Sequence, residues 1–173
     1  MIETDDLVVL VLGAPGPPGQ PSGRIEGITR LEKLIFLIEQ EQKPPWLDED
    51  VGFESDKFGP FSSKIYEAVD TLSAAGLLED SGSFAPSREE DAWEAEHIIG
   101  AQTQYATRNF ELTDKGQRYY KALLGELPKS VEEELSEFKK RFAAVPLRQL
   151  IRYVYERYPS YTDKSIIRDD VLH

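Results

Sequence analysis

The last third of the chain combines basic and aromatic residues in a pattern that could bind phosphate groups. Arg148 and Arg152 are four residues apart, so on a helix they share one face. Arginine and lysine neutralise phosphates, and tyrosine rings among them can stack on bases. The pattern contains Lys115, Arg118, Lys121, Lys139, Lys140, Arg141, Arg148, Arg152 and Arg157, with Tyr153, Tyr155, Tyr158 and Tyr161.

Two interpretations of this basic pattern remain open. If the chain binds nucleic acid, the predicted contacts are Lys115, Arg118, Lys121, Arg148 and Arg152. The alternative is that the arginines pair with the nearby carboxylates of Glu132, Glu133, Glu134 and Glu137.

A second group of residues lies on the segment 62–75, which predicts a helix with one apolar stripe. Its apolar residues recur at intervals of four and three: Ile65, Val69 and Leu72. The opposite side would expose Lys64, Glu67, Asp70 and Thr71. Two carboxylates beside one ammonium group disfavour contact with phosphates. The segment therefore predicts a surface that binds a partner protein through Lys64, Glu67 and Thr71.

The sequence contains no pattern that assembles a catalytic or metal site. There are no cysteines, and His97 and His173 are not spaced as metal ligands or as part of a catalytic triad. The glycine- and proline-rich loop 13–23 lacks the Gly-Lys-Ser/Thr ending of a phosphate-binding loop, so it predicts a stiff surface linker. We therefore expect a protein that is not an enzyme and that uses no cofactor or metal.

The charge of the chain is strongly uneven. Its net charge is −12, and residues 1–105 hold 21 of the 32 acidic residues but only seven of the 20 basic ones. Nucleic acid repels such a surface, so any contact with it is expected in the last third. No apolar run approaches the ~20 residues of a membrane span, and the acidic start Met1–Asp6 is unlike a signal peptide. The expectation is a cytoplasmic protein without membrane contact.

The stretch Phe53–Leu78 organises the predicted fold. It predicts a strand, a structural turn at Gly59 and Pro60, and then the helix 62–75. Proline fixes its own φ and biases the preceding residue away from the helical region. Gly76 suits the left-handed residue that ends a helix.

The residues after Gly76 predict the wing of a winged helix-turn-helix. A strand starts at Leu77, and 79–106 would form the wing, which contains the acidic flap 84–105. The strand Asn109–Leu112 would return from it. A wing that contacts DNA usually presents lysine or arginine, whereas this flap holds five acids. It therefore predicts a solvated loop or a protein contact.

Other segments predict helices that complete a mainly α fold with a small β-hairpin. The apolar run in 3–12 fits a buried strand or a helix with Thr4 as N-cap, and we favour the helix. The remaining predicted helices are 24–42 with a capping box at Thr29 and Glu32, 114–124 capped by Thr113, 131–142, one opening at Pro146, and a short one in 163–172. The predicted divisions are an N-terminal element and linker (1–23), a winged-helix-like domain (24–127) and a C-terminal helical extension (128–173).

Two motifs in this framework resemble the paired signature of Panacea-type (SocA-like) antitoxin-associated domains. They are Arg30-Leu-Glu-Lys-Leu-Ile-Phe36 and Gly59-Pro-Phe-Ser-Ser-Lys-Ile-Tyr66. The resemblance implies a helical fold related to the winged helix and a role in binding a partner protein. Leu-Thr-Asp-Lys-Gly116 also resembles the segment after the wing in many winged-helix regulators.

These observations predict a non-catalytic regulatory or adaptor protein, antitoxin-like, that binds another protein. The alternative is a winged-helix transcription regulator whose DNA contact uses the basic last third. A homodimer through the C-terminal helices is a further expectation.

Overall fold

The computed structural model describes residues 1–20, 22–57, 59–81 and 109–172. In chain order its elements are α1 (Thr4–Gly13), β1 (Arg24–Glu26), α2 (Ile28–Leu37), β2 (Glu54–Asp56), β3 (Gly59–Phe61), α3 (Ser63–Ala74), β4 (Leu78–Ser81), β5 (Asn109–Leu112), α4 (Asp114–Gly125), α5 (Val131–Phe142), α6 (Leu147–Arg157) and α7 (Arg168–Leu172). The fold is mainly helical with small antiparallel sheets, as predicted. The acidic flap 84–105 lies outside the described residues.

The helix α1 lies in the centre of the core. Every side chain from Leu7 to Leu12 is fully buried, because α1 packs against α3, α4 and β5. A helix that is apolar on all sides is stable only when other elements surround it. The prediction of a helix over 3–12 is confirmed, but the N-cap is Glu3, whose carboxylate and that of Asp6 form a reciprocal capping box.

The strands form two separate antiparallel sheets. In one sheet β5 lies between β1 and β4, and in the other β2 pairs with β3 as a hairpin. The prediction that Arg24–Glu26 begins a helix is wrong, since these residues form β1 and pair with Asn109, Phe110 and Glu111 of β5. Gly27, with φ of 88°, separates β1 from α2 and adopts a conformation that other residues avoid.

The end and the cap of α2 also differ from the prediction. The capping box at Thr29 and Glu32 is wrong, because the Glu32 carboxylate is buried and bonded to Lys33 instead. After Leu37 the helix widens into a π-helical turn, Ile38–Gln42, and ends at Lys43 with φ of 45°. The apolar residues of α2 and of the first position after it are all fully buried: Ile28, Leu31, Leu34, Ile35, Phe36, Leu37 and Ile38.

Most other predicted elements are confirmed. The strand Asn109–Leu112 and the helix Val131–Phe142 have the predicted bounds, and Thr113 caps α4 by accepting a hydrogen bond from the Gly116 N–H. Gly76 has φ of 77° after α3. The turn predicted at Gly59 and Pro60 is wrong, since both residues lie in β3. Because Gly59 pairs with Asp56, the chain reverses just before them.

One hydrophobic core includes side chains from all three predicted divisions of the chain. Leu10 comes from the first, Phe36 from the second and Tyr155 from the third, and each is buried in the same cluster. Among the described residues, no helix has both the length and the apolar character needed to span a bilayer.

The motif Leu-Thr-Asp-Lys-Gly116 joins the start of α4 to the end of α3. The Thr113 hydroxyl donates to the Gly76 carbonyl at 2.6 Å, and the Lys115 ammonium donates to the Ala75 carbonyl at 3.0 Å. Gly116 lies directly against the Leu77 carbonyl oxygen, so a Cβ there would overlap that oxygen. The motif is therefore a junction between two helix ends.

This junction predicts that replacing two glycines of α4 with alanine changes the free energy of unfolding in opposite directions. Gly116→Ala should lower the free energy of unfolding by about 1–3 kcal/mol, because a backbone oxygen cannot move aside as a side chain can. Gly125→Ala, where a Cβ meets nothing within 4 Å, should raise it by up to about 1 kcal/mol. Urea unfolding of both variants checks this, and equal effects would contradict the close approach at Leu77.

Candidate functional site

The outer face of α3 and the β2–β3 hairpin enclose a pocket of about 390 Å³. Two aromatic rings form part of its wall: Phe61 from β3 and Tyr66 from α3, with ring centroids 5.1 Å apart. Both rings are half-buried. The remaining lining residues are Asp56, Lys57, Ser63, Glu67 and Asp70. We call this cavity the α3 pocket.

The spacing of α3 explains which side chains reach the pocket. Ile65, Ala68, Val69 and Leu72 are buried against the core, so positions between them face outward. The hairpin stands beside this face because β3 runs directly into α3, through Ser62. The Ser62 hydroxyl does not cap α3 but donates to the Val51 carbonyl at 2.6 Å, which holds the segment before the hairpin against the start of α3.

The three residues predicted to bind a partner lie in different surroundings on α3. Glu67 is exposed and lines the α3 pocket. Thr71 is exposed one turn further along. Lys64 is held within the chain, since its ammonium donates to the Asp50 carbonyl at 2.7 Å and lies 3.7 Å from the Glu49 carboxylate. The sequence did not reveal that β2–β3 adds an aromatic ring and Asp56 to this face.

The surface beside α3 is strongly negative. At the start of α1, burial raises the pKa of Asp5, and the carboxylates of Asp6, Glu49, Glu3 and Glu67 raise it further. Glu49 is itself held by hydrogen bonds from Thr4, which lower its pKa. This field attracts cationic groups and repels phosphates.

A buried polar junction supports the pocket from behind. The Lys33 ammonium on α2 donates to the Glu32 carboxylate at 2.8 Å and to the Pro60 carbonyl at 2.9 Å. The Ser62 N–H donates to the same carboxylate at 3.4 Å. Burial raises the pKa of Glu32, which Lys33 opposes. These bonds join the two motifs that the sequence analysis paired, Arg30–Phe36 and Gly59–Tyr66.

The predicted nucleic-acid contacts are spread over two helices, and three of the five are engaged within the chain. Lys115 bonds the Ala75 carbonyl, as described above. Arg148 donates to the Asp170 carbonyl at 2.6 Å, and Arg152 pairs with Glu156 at 2.8 Å. Arg118 and Lys121 are exposed, and in the described ranges no carboxylate pairs with either. The helix α4 packs on α1 and β5, whereas α6 packs on α2 and α7.

Other members of the basic and aromatic pattern are also engaged within the chain. Lys139 is 3% exposed, and its ammonium donates to the carbonyls of Leu12 and Ala14 at the end of α1. Burial lowers its pKa to about 8. Tyr153 donates to Glu41 at 2.6 Å, and Arg157 pairs with the same carboxylate at 3.2 Å. These partners differ from the predicted acidic run 132–137.

Tyr155 lies at the contact between α6 and the β2–β3 hairpin. Because its hydroxyl is buried, we expect the folded chain to lose stability when this tyrosine ionises at high pH. Its ring lies against Gly59, its hydroxyl bonds Ser165 at 2.6 Å, and burial raises its pKa to about 12. A pKa raised above the unfolded value of about 10 gives stability that is complete below pH ~10 and lost toward pH ~12.

Urea unfolding between pH 9 and about 11 measures this loss. The stability difference between the natural chain and Tyr155→Phe should shrink by roughly 1 kcal/mol per pH unit above pH ~10, because phenylalanine cannot ionise. Two other tyrosines with a raised pKa remain in both proteins, so their effects cancel: Tyr119, through its hydrogen bond to Asp6, and Tyr120, through burial and its hydrogen bond to Glu132. A constant difference would contradict the prediction.

Within the described ranges no group of three or more metal-binding side chains is close enough to hold an ion, and both histidines lie outside those ranges.

Comparisons with protein-family models, with curated proteins and with solved structures found no match in any of the three. The geometry of the described residues therefore carries the functional argument.

Proposed function

We propose that this chain is a non-catalytic regulatory or adaptor protein that binds a partner protein through the outer face of α3 and the β2–β3 hairpin. The observation that carries the proposal is the α3 pocket, where two aromatic rings and three carboxylates converge on the face that Glu67 and Thr71 share. Half-buried aromatic rings at a concave surface are typical anchors of protein interfaces.

We further propose that the central fold is of the winged-helix type. Support comes from the order α3, β4 and β5, in which a helix is followed by an antiparallel strand pair, with β1 beside β5. Contact between the two Panacea-like motifs through Lys33 and Pro60 also supports an antitoxin-like role. In that role the partner would be a toxin or another regulated protein.

A DNA-binding regulator is the second candidate. The arrangement of α3, β4 and β5 favours it, and the exposed Arg118 and Lys121 could contact phosphates. The pocket argues against it, because the helix that would enter the groove presents Glu67 and Asp70 there, and the hairpin beside it adds Asp56. We therefore place protein binding first.

Site-specific cross-linking tests the proposed interface. A photoreactive residue at Thr71 should cross-link one discrete partner in cells, whereas the same residue at Glu133, exposed on α5, should not. The purified partner should then bind Thr71→Arg at least about tenfold more weakly than the natural chain, because a long cation obstructs the face. Equal binding of both proteins would contradict the proposal.

Titration of duplex DNA separates the two candidates. A partner-binding adaptor should bind random and promoter duplexes no tighter than about 10⁻⁴ M at physiological salt, measured by fluorescence anisotropy. Sub-micromolar, sequence-dependent binding would instead favour the regulator. In that case five phosphate contacts predict a slope of about −4 to −5 for the logarithm of the binding constant against the logarithm of the salt concentration. Replacing Arg148 and Arg152 with alanine should make this slope shallower by about 2.

The homodimer through α5–α7 stays a prediction, which sedimentation at several concentrations checks.

A further inference from the structure

We propose that the α3 pocket receives an arginine side chain from a basic segment of the partner protein. The inference rests on the proposed function and adds the chemistry of the group that is recognised. It follows from the combination of ring faces and carboxylates in one cavity, because a cation is stabilised by both.

The aromatic wall favours a flat cation. Phe61 and Tyr66 meet at an interplanar angle of 48°, so their rings form a tilted corner at the surface. A guanidinium group stacks on such faces and is more weakly hydrated than an ammonium group. A neutral apolar anchor would use the rings but would form no ion pair with the carboxylates of Asp56 and Glu67.

The carboxylates supply the charge complement. Asp56 stands on the hairpin and Glu67 on α3, so they belong to different elements that face the same cavity. Among the lining residues that the structure describes, Lys57 is the one basic residue. A guanidinium carries five donors in a planar fork, which suits carboxylates that approach from two sides.

The wider surface selects a basic segment over an acidic one. The carboxylates of Glu3, Asp5, Asp6 and Glu49 extend the negative field from the pocket to the start of α1. The partner residues that flank the arginine should therefore be lysine or arginine as well. Such a field raises association rates and weakens with salt.

A single amino-acid probe tests the pocket without knowledge of the partner. The ¹⁵N-labelled full chain is titrated with Nα-acetyl-arginine amide, and the amide shifts are mapped by NMR. The shifts should cluster in 56–70. Nα-acetyl-citrulline amide has the same shape without the charge and should bind at least about threefold more weakly. Nα-acetyl-lysine amide should bind about two- to threefold more weakly than the arginine probe.

Matched variants identify the groups responsible. Glu67→Gln and Phe61→Leu should each weaken arginine binding about two- to fivefold. Glu133→Gln removes the same charge from a distant exposed position and should leave binding unchanged. Equal effects of Glu67→Gln and Glu133→Gln, equal binding of citrulline or lysine, or shifts outside 56–70 would each overturn the proposal.

The failure of this inference is distinguishable from the failure of the proposed function. If the partner cross-links at Thr71 but neither Glu67→Gln nor excess arginine amide weakens its binding, the interface stands and the arginine proposal is wrong. If arginine amide binds the pocket but no partner cross-links at Thr71, the proposed function is wrong and the pocket remains a cation site.

Discussion

Replacing Lys33 with methionine should lower the free energy of unfolding by about 3–5 kcal/mol. Lys33 is fully buried, and its ammonium is the cation that neutralises Glu32. Methionine preserves much of the volume but leaves the Glu32 carboxylate buried without a counter-charge and the Pro60 carbonyl without its donor. A carboxylate in that position is expensive to keep ionised.

The pH dependence of this variant provides a signature that simple loss of packing would not give. Without Lys33, the folded state should favour protonated Glu32, so the Glu32 pKa should rise further above its usual value. A raised pKa gives stability that is present below about pH 4.5 and lost as the pH rises through the folded value. The difference in free energy of unfolding between the natural chain and Lys33→Met should therefore become smaller as the pH falls toward about 4.5.

Two controls isolate the ion pair in urea unfolding experiments. The double variant Glu32→Gln with Lys33→Met should recover about 1–3 kcal/mol of the loss, because the stranded charge is gone. Lys64→Met breaks an exposed ion pair and should change stability by less than about 1 kcal/mol. Similar losses for Lys33→Met and Lys64→Met would contradict the buried junction.

Replacing Gly59 with alanine should lower the free energy of unfolding by about 2–5 kcal/mol. Gly59 has φ of 87°, a conformation that disfavours a side chain by about 1–2 kcal/mol. A Cβ there would also lie 2.5 Å from Cε1 of the buried Tyr155, which adds about 1–3 kcal/mol of overpacking.

Gly52 is the matched control for this effect. Its φ is 78°, but a Cβ at Gly52 meets nothing within 4 Å. Gly52→Ala should therefore show the conformational part alone, about 1–2 kcal/mol. Thermal and urea unfolding of both variants separates strain from collision, and equal losses would rule out the collision with Tyr155.

The sequence predicts elements whose signals are local. The strand Asn109–Leu112 is bounded by Thr113, and α5 has an apolar stripe with acids first and bases last. These features determine an element without knowledge of the rest of the fold. The strand Arg24–Glu26 has no such signal, because its partner β5 lies some eighty residues away along the chain. Nonlocal pairing therefore overrode the helical pattern.

The candidate site could be predicted only in part for a related reason. The exposed positions of α3 follow from helical periodicity, so Glu67 and Thr71 could be assigned to one face. The neighbouring hairpin could not, because three-residue strands carry little pattern. Lysine side chains usually lie at the surface of a protein. Lys33 and Lys139 are nevertheless buried, because backbone carbonyls of distant segments accept their hydrogen bonds.

The central position of α1 constrains how the chain can fold during its synthesis. In the order of synthesis this helix precedes α3, α4 and β5, which cover it, and the ammonium that caps its final carbonyls belongs to Lys139. Until those elements are made, the apolar side chains from Leu7 to Leu12 have no cover, and exposed apolar surface of that kind promotes aggregation. The nascent chain should consequently depend on chaperones that bind exposed apolar segments, and it should reach its native state only after α5 has emerged.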